Sequence, residues 1–261
     1  MTSVLTIAGS DPTGGAGVQA DLKTFAAHGV YGVSVITAVT AQNTLGIVES
    51  TVMSADLVIA QLEAIAGDSA PDAVKVGMLG TAAIVEAVAA AIEELELPSV
   101  VLDPVIASSS GGRLLDDDGV QAMLLRLMPL CRVMTPNIPE AEALSGCRIA
   151  SAADARKAAE RLVDMGAESV IVTGGHAPGT DVVDLFYDGT QFVELHGRRV
   201  DARAHGTGCT YASAIAAGLA RGRPMTEAAA EAQRYVAGAL THAVTIGKGA
   251  RVLNHFWQPL Y

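Results

Sequence analysis

The sequence is poor in the residues on which several large classes of protein depend. Aromatic residues make up only 4% of the 261 residues, which leaves little material for platforms that stack nucleobases. The 17 lysines and arginines are outnumbered by 28 aspartates and glutamates, and the net charge of -11 argues against binding of a nucleic-acid backbone. An acidic protein can still hold a small phosphate group through local amide groups.

The three cysteines lack the spacing of a disulfide framework or a zinc site. Cys131, Cys147 and Cys209 are far apart and odd in number, and no C-x-x-C pair occurs. The first residues show no basic segment followed by an apolar run, and no stretch of about 18 apolar residues is present. We therefore expect a reduced, cytoplasmic protein with neither a signal peptide nor a membrane span.

Short apolar segments alternate with longer helical patterns along the whole chain. Residues 4–11 predict a buried strand, and Val18, Leu22 and Phe25 then follow at helical spacing. Later helices are expected after Thr81 as N-cap, over 209–221 and over 225–244, and an Asp-Gly turn at 188–189 predicts a hairpin. This alternation predicts one α/β domain over residues 1–261, with a mainly parallel sheet covered by helices on both faces.

Candidate functional residues follow the ends of the predicted strands. Because ligands of open α/β sheets bind beyond the carboxyl ends of the strands, these positions are expected to share one rim. The strand ends are Gly9 to Asp11, Gln42 and Asn43, Gly77 and Met78, Asp103 to Val105, Thr135 to Asn137, and Thr173 to Gly175.

Polar side chains at this rim admit both a chemical and a structural role. The primary amide of Gln42 offers a donor and an acceptor, as does the edge of an aminopyrimidine, although it also suits a turn. Asp103 fits a metal or a substrate hydroxyl, or else an Asp-Pro turn. Asn137 and Glu140 carry the oxygen ligands that Mg²⁺ prefers, and they also fit the cap of a helix. The two roles can coexist.

Two glycine-rich segments precede predicted helices. The segment from His205 to Ala220, "HGTGCTYASAIAAGLA", places glycines and free amide groups where a helix dipole favours an anion. We expect the amides of 206–209 to hold a transferring phosphoryl group and the Cys209 thiol to have a lowered pKa, the alternative being a small buried residue in a turn. The segment "GSDPTGGAGVQADLK" fits neither a Walker A loop nor G-x-G-x-x-G, and a plain turn followed by a surface Asp21 stays open.

Seven segments together resemble one enzyme family from Leu5 to about Phe256. They are "TIAGSDPTGGAGVQADLKTF", "SVITAVTAQNT", "KVGML", "VLDPV", "TPNIPEAEAL", "GGH" and "HGTGCTYASAIAA", in this order. The chain resembles the bacterial hydroxymethylpyrimidine/phosphomethylpyrimidine kinases of thiamine biosynthesis, which have a ribokinase-like fold. The resemblance implies a single ribokinase-like kinase domain that uses ATP and Mg²⁺ to phosphorylate hydroxymethylpyrimidine and then its monophosphate. It also implies a homodimer.

The resemblance also assigns roles to individual residues. It implies that Met78 and Val105 form an apolar wall for the pyrimidine. It implies that Gly9 lies beside the ring and that Gln42 and Asp21 meet its polar edge. The residues implied for Mg-ATP are Asp103, Asn137 and Glu140, with Asp103 and Glu140 as metal ligands. Gly206, Thr207 and Gly208 match the anion hole, and Cys209 stands where sugar kinases carry an aspartate base.

Three positions depart from the family pattern. Thr173 replaces a lysine that commonly precedes Gly-Gly-His, which puts one phosphate contact in doubt. Lys248 belongs to a tail that differs from the family form, and it is the expected substitute for the phosphate contact. The loop "ASSSGGRLL" lacks a frequent lysine, for which Arg113 is a possible replacement.

Two other functions compete with this one. A vitamin B6 kinase of the same superfamily is the closest, and Gln42 favours the pyrimidine substrate over it. A non-catalytic nucleotide- or pyrimidine-binding regulator is the other, and the joint presence of Asp103, Glu140 and Cys209 argues against it. We expect no nucleic-acid or membrane partner.

Overall fold

The computed structural model describes residues 1–108, 111–176 and 181–258. Its strands are β1 (Ser3–Ser10), β2 (Tyr31–Asn43), β3 (Gly46–Val52), β4 (Ala73–Val76), β5 (Val100–Leu102), β6 (Val133–Met134), β7 (Val170–Val172), β8 (Asp181–Tyr187) and β9 (Phe192–Arg198). Its helices are α1 (Gly17–Ala27), α2 (Ala55–Asp68), α3 (Ala82–Glu94), α4 (Asp117–Ala122), α5 (Ile138–Ser145), α6 (Ala152–Asp164), α7 (Thr207–Ala220) and α8 (Met225–Thr241). A π-helical turn over Met123–Leu127 and a 3₁₀ turn over Met128–Leu130 continue α4.

One sheet contains all the described strands, in the order β3-β2-β1-β4-β5-β6-β7-β8-β9. Six neighbouring strands of the sheet run parallel, namely β2, β1, β4, β5, β6 and β7. The other three, β3, β8 and β9, are antiparallel to their neighbours. The prediction of a mainly parallel α/β sheet is confirmed. β3 was not predicted from the sequence. Most of its residues are exposed, so this edge strand shows no apolar run.

Side chains that alternate along the central strands build two separate cores. Val100 and Leu102 pack with α2, α3 and the helices up to α6, whereas Val101 between them packs on the opposite face with α1, α7 and α8. Because successive side chains of a strand point to opposite faces, a short all-apolar strand can serve both cores. The helices on both faces therefore follow from the apolar runs of the sequence.

Local side-chain chemistry sets several element ends as predicted. Thr81 Oγ1 accepts a hydrogen bond from the Ile84 amide at the start of α3. Asp188 Oδ1 accepts amide hydrogen bonds from Thr190 and Gln191 in the turn between β8 and β9, where Gly189 has a φ of 86°. Across the described residues, no helix combines the length and the apolar character that a bilayer crossing requires.

Candidate active site

A cavity of about 730 Å³ opens at the carboxyl ends of the parallel strands, on the rim that the sequence predicts. Most of the expected site residues line it, although they come from nearly the whole length of the chain. These lining residues are Gly9, Gln42, Met78, Asp103, Val105, Asn137, Glu140, Thr173, Gly206, Thr207, Gly208 and Cys209. Of the expected site residues, Asp21 and Lys248 are the two absent from the lining.

One end of the cavity joins an apolar wall to a polar edge. Met78 and Val105 supply the apolar wall, and a Cβ at Gly9 would lie 3.0 Å from Met78 Sδ, so glycine allows this close packing. The Gln42 amide forms the polar edge, with its terminal atoms 3.2 Å from Thr40 Oγ1 and 3.2 Å from His205 Nε2. This combination suits a flat heteroaromatic ring with a polar side.

Asp11 and His205 support this edge, and the sequence assigned neither of them a role. Asp11 accepts hydrogen bonds from the amides of Thr13 and Ala16, each at 2.9 Å, and its Oδ2 lies 3.2 Å from His205 Nε2. Although burial opposes ionisation, the hydrogen bonds to His205 and to Thr13 lower the pKa of Asp11 below its usual value. The only available signal was position: Asp11 ends a predicted strand and His205 precedes the glycines of the anion site.

The other end of the cavity contains the first turn of α7. Gly206 has a φ of 89°, and a Cβ there would overlap the Gly15 carbonyl oxygen, so the turn requires glycine for both reasons. No side chain caps this helix. Its first amides therefore keep their hydrogen-bonding capacity for an anion in the cavity.

The Cys209 thiol differs from its prediction. Burial, together with the negative charges of Asp103 and Asp21, raises its pKa to about 12, although Lys75 and the Gly17 amide act in the opposite direction. The expected lowering by the helix N-terminus is thus wrong, because desolvation outweighs the dipole. At neutral pH Cys209 carries its proton.

Asp21 lies beneath the cavity and not in its wall. Its carboxylate accepts hydrogen bonds from Thr6 Oγ1 at 2.6 Å, from Ser213 Oγ at 2.7 Å and from Lys75 Nζ at 3.0 Å. Asp21 has no exposed surface. The prediction of a surface aspartate and the prediction of a contact with the edge of the pyrimidine ring are therefore both wrong. Asp21 instead fixes α1 to β1, β4 and α7.

Lys75 is a buried cation to which the sequence analysis assigned no role. Its Nζ bridges Asp21 and Asp103, at 3.0 Å and 3.8 Å from their Oδ2 atoms, without any exposed surface. Burial lowers the pKa of Lys75, but the nearby carboxylates more than offset this and raise it, so the ammonium stays charged. A lysine within four consecutive buried positions, "AVKV", was the signal that pointed to such a pair.

Asp103 and Glu140 add two carboxyl groups to the wall of the cavity that also contains the first turn of α7. Asp103 Oδ2 is buried and has no hydrogen-bond partner among the described residues, and burial raises the pKa of this carboxyl. Burial and the charge of Asp103 raise the pKa of Glu140 to about 8. A carboxylate oxygen without a hydrogen bond, beside a second carboxylate, fits a Mg²⁺ ion, which proteins often bind through one or two carboxylates and substrate phosphates.

The helix-cap role of Asn137 and Glu140 is confirmed without excluding the ligand role. Asn137 Oδ1 accepts a hydrogen bond from the Glu140 amide at 3.0 Å, and Glu140 Oε2 accepts one from the Asn137 amide at 2.9 Å. Both residues also line the cavity. The second carboxylate oxygen of Glu140 is not used by this cap.

The three residues that depart from the family pattern differ in where they lie relative to the cavity. Thr173 lines the cavity and pairs with Asn137, so the position of the missing lysine does belong to the site. Lys248 is exposed and does not line the cavity. The amides of the next two residues, Gly249 and Ala250, donate hydrogen bonds to Thr44 and hold this part of the chain at the rim. The Arg113 guanidinium contacts Asp117 and the Leu115 carbonyl. Ser109 and Ser110 of the same loop lie outside the described residues.

Comparisons with known proteins identify relatives over almost the whole chain. The family model described as phosphomethylpyrimidine kinase matches residues 11–254. The hydroxymethylpyrimidine/phosphomethylpyrimidine kinase of Rhizobium meliloti (strain 1021) is 46% identical and covers 98% of each chain.

Two solved structures show how closely the fold is shared. Pyridoxal kinase from Staphylococcus aureus, in complex with AMP-PCP and pyridoxal, is 36% identical with a TM-score of 0.89, over 98% of this chain and 93% of its own. Phosphomethylpyrimidine kinase from Clostridium difficile 630 is 38% identical with a TM-score of 0.81, over 90% of this chain and 98% of its own. The ribokinase-like expectation for the fold is thereby confirmed.

Proposed function

Because the chain belongs to the phosphomethylpyrimidine kinase family, we propose that it phosphorylates hydroxymethylpyrimidine with ATP and then phosphorylates the resulting monophosphate to the diphosphate. Each step moves the γ-phosphoryl group of ATP to an oxygen of the acceptor and releases ADP. The pathway served is thiamine biosynthesis.

One observation carries this proposal: the first turn of α7 faces Asp103 across a narrow space. A Cβ at Gly208 would lie 3.7 Å from Asp103 Oδ1, so the amides of the helix and the carboxylate border the same gap. Free helix amides stabilise negative charge, whereas a carboxylate requires a cation between itself and a phosphate. The gap therefore has the two sides that a transferring phosphoryl group and its metal need.

Asp103 and Glu140 would hold the Mg²⁺ ion that accompanies ATP, with Asn137 and Thr173 beside the phosphates. When bound, the ion neutralises charge on the phosphate oxygens. Thr207 offers its amide and hydroxyl at the same end of the cavity, and Gly206 and Gly208 leave the space open. Use of an adenine nucleotide is supported by the AMP-PCP complex of the related pyridoxal kinase.

Cys209 belongs to the first turn of α7 and its thiol faces Asp103, where the acceptor hydroxyl must arrive. Because its pKa of about 12 keeps it protonated, we assign it a positioning contact with the acceptor and not the part of a preformed thiolate base. Negative charge that develops in the transition state is stabilised by the α7 amides, above the buried ammonium of Lys75.

The polar edge of the acceptor would pair with Gln42, while Met78 and Val105 enclose its ring and Gly9 leaves room for it. Two further expectations belong to this proposal. We place the enzyme in the cytoplasm, and we propose a homodimer. Val39, Leu45 and Val48, on and between β2 and β3, are 47%, 68% and 79% exposed and supply apolar surface for such a contact, which sedimentation would test.

A vitamin B6 kinase remains the second candidate, because a pyridoxal kinase shares the fold over 98% of this chain. The identity of 46% to a pyrimidine kinase, against 36% to that pyridoxal kinase, favours the pyrimidine. The deciding experiment measures ADP release with hydroxymethylpyrimidine, its monophosphate and pyridoxine, each with Mg-ATP. Turnover of pyridoxine alone would replace the proposal, and turnover of none would support a binding protein without catalysis.

A further inference from the structure

The side chain of Gln42 has two chemically different ends, and its direction decides which substrate edge it recognises. In the structure its Nε2 faces His205 Nε2 and its Oε1 faces Thr40 Oγ1, each at 3.2 Å. A rotation of 180° about the last side-chain bond exchanges the two atoms without changing the packing. The hydrogen-bond network must therefore identify the oxygen.

The network starts at Asp11, which acts only as an acceptor. Its carboxylate accepts hydrogen bonds from the Thr13 amide, the Thr13 hydroxyl and the Ala16 amide, each at 2.9 Å. Those donors stabilise the ionised form, in line with its lowered pKa. His205 Nε2 lies 3.2 Å from the same carboxylate, so this nitrogen must carry a hydrogen.

The one hydrogen on His205 Nε2 lies between Asp11 and the Gln42 atom that faces it, so that Gln42 atom must be an acceptor. The atom of Gln42 that faces His205 is therefore its Oε1, and Nε2 then faces Thr40. Thr40 is consistent with this direction, because its hydroxyl donates to the Ser10 carbonyl at 2.9 Å and keeps a lone pair that can accept from the Gln42 N–H. The opposite direction would leave two N–H groups facing each other, and it would turn the Gln42 oxygen towards a hydroxyl whose hydrogen already goes to Ser10.

We propose that His205 is a positioning residue that fixes the direction of the Gln42 amide and thereby selects an acceptor with a ring nitrogen next to an exocyclic amino group. This inference rests on the proposed function. Gln42 then presents one N–H on the Thr40 side and one lone pair on the His205 side. An aminopyrimidine edge, N=C–NH₂, has the complementary acceptor and donor, whereas the corresponding oxo edge, HN–C=O, has them reversed.

The test compares equilibrium binding of two probes by calorimetry: 4-amino-5-hydroxymethyl-2-methylpyrimidine and its 4-oxo analogue. We expect the wild type to prefer the amino compound at least about tenfold, since a reversed edge leaves buried polar groups unpaired. In His205→Leu only Thr40 still favours one direction of the amide, and the preference should fall to within about threefold. His205→Gln places an N–H near the position of Nε2 and should restore it.

Two further variants make the result decisive. His196→Leu is the matched control, because His196 is an exposed residue of β9 that pairs with Glu194 far along the sheet, and it should keep the wild-type preference. Thr40→Val should weaken the preference and Thr40→Ser should keep it, which tests the network even if His205→Leu fails to fold.

The outcomes separate this inference from the proposed function. A wild-type preference that persists in folded His205→Leu, or in Thr40→Val if His205→Leu does not fold, overturns the positioning role while the kinase activity stands. Equal loss of affinity for both probes, with an unchanged ratio, likewise contradicts it and indicates a structural role only. Absence of binding of either pyrimidine to the wild type would remove both the function and this inference.

Discussion

The two ends of the cavity differ in how far their polar groups are satisfied. At the pyrimidine end Gln42, Thr40, His205 and Asp11 are hydrogen-bond partners of one another. At the proposed phosphate end Asp103 Oδ2 has no hydrogen-bond partner among the described residues, and the first turn of α7 has no side-chain cap. Under the proposed function, the first end is preorganised to recognise shape and hydrogen bonding, and the second would be completed by Mg-ATP. Substitutions at the two ends should therefore fail in different ways.

The largest expected effect comes from the phosphate end. Asp103→Asn removes the carboxylate that faces α7, and we expect kcat/KM to fall about a hundredfold or more for both the alcohol and the phosphate acceptor. Steady-state kinetics with each acceptor would measure it, with the exposed Asp118→Asn as control. A loss seen only in the KM of the pyrimidine would contradict the assignment of Asp103 to the phosphate end.

At the pyrimidine end the effect should be smaller and confined to one substrate. Gln42→Ala leaves the ring edge without its partners, which costs about 1–3 kcal/mol, or roughly tenfold to a hundredfold in KM for hydroxymethylpyrimidine. The KM for ATP should stay the same. Exposed Gln121→Ala serves as the control. An unchanged KM for the pyrimidine in Gln42→Ala would contradict the assignment of Gln42 to the ring edge.

Cys209 lies in the first turn of α7, where the acceptor hydroxyl is proposed to arrive, and its substitution should distinguish two roles. A thiol that stays protonated cannot favour the alcohol over the already anionic phosphate, so Cys209→Ala should lower kcat/KM for both acceptors by a similar factor of about ten or less. The comparison needs both acceptors in parallel, with Cys147→Ala as control. A loss of about a hundredfold or more for the alcohol alone would restore the role of base.

The smallest effect concerns stability without nucleotide. The pKa of Glu140 is raised from 4.5 to about 8, so its contribution to stability is complete below pH 4.5 and is lost as the pH rises towards 8. Melting temperatures over this range should fall with pH less steeply in Glu140→Gln, which keeps a side chain able to cap α5. Identical slopes for the two proteins would show that Glu140 is not destabilised by its surroundings.

The sequence predicted the features that depend on neighbours along the chain. The alternation of strands and helices, the cap of α3 and the rim of strand ends are all visible in short windows. These patterns depend on periodicity and capping, which are local. The family resemblance added the residues of the rim, and the cavity brings all but two of them together.

What the sequence missed depends on contacts between distant segments. Lys75 meets Asp21 across 54 positions, and His205 meets Gln42 across 163. The pKa of Cys209 was predicted from its helix position alone, whereas the buried charges around it decide the outcome. Lys248 was expected at the phosphate from chain position, but backbone contacts with Thr44 determine its location.

The bond between Ser213 and Asp21 joins residues 192 positions apart, and it has a consequence for synthesis on the ribosome. As the nascent chain emerges, β1, α1 and β4 are complete long before α7 exists. Until then the Asp21 carboxylate has only Thr6 and Lys75 as partners, and the wall made by Gly206 to Cys209 is missing. Assembly of the pocket is thus a late, long-range event, and a chain released early would expose the charges that α7 normally covers.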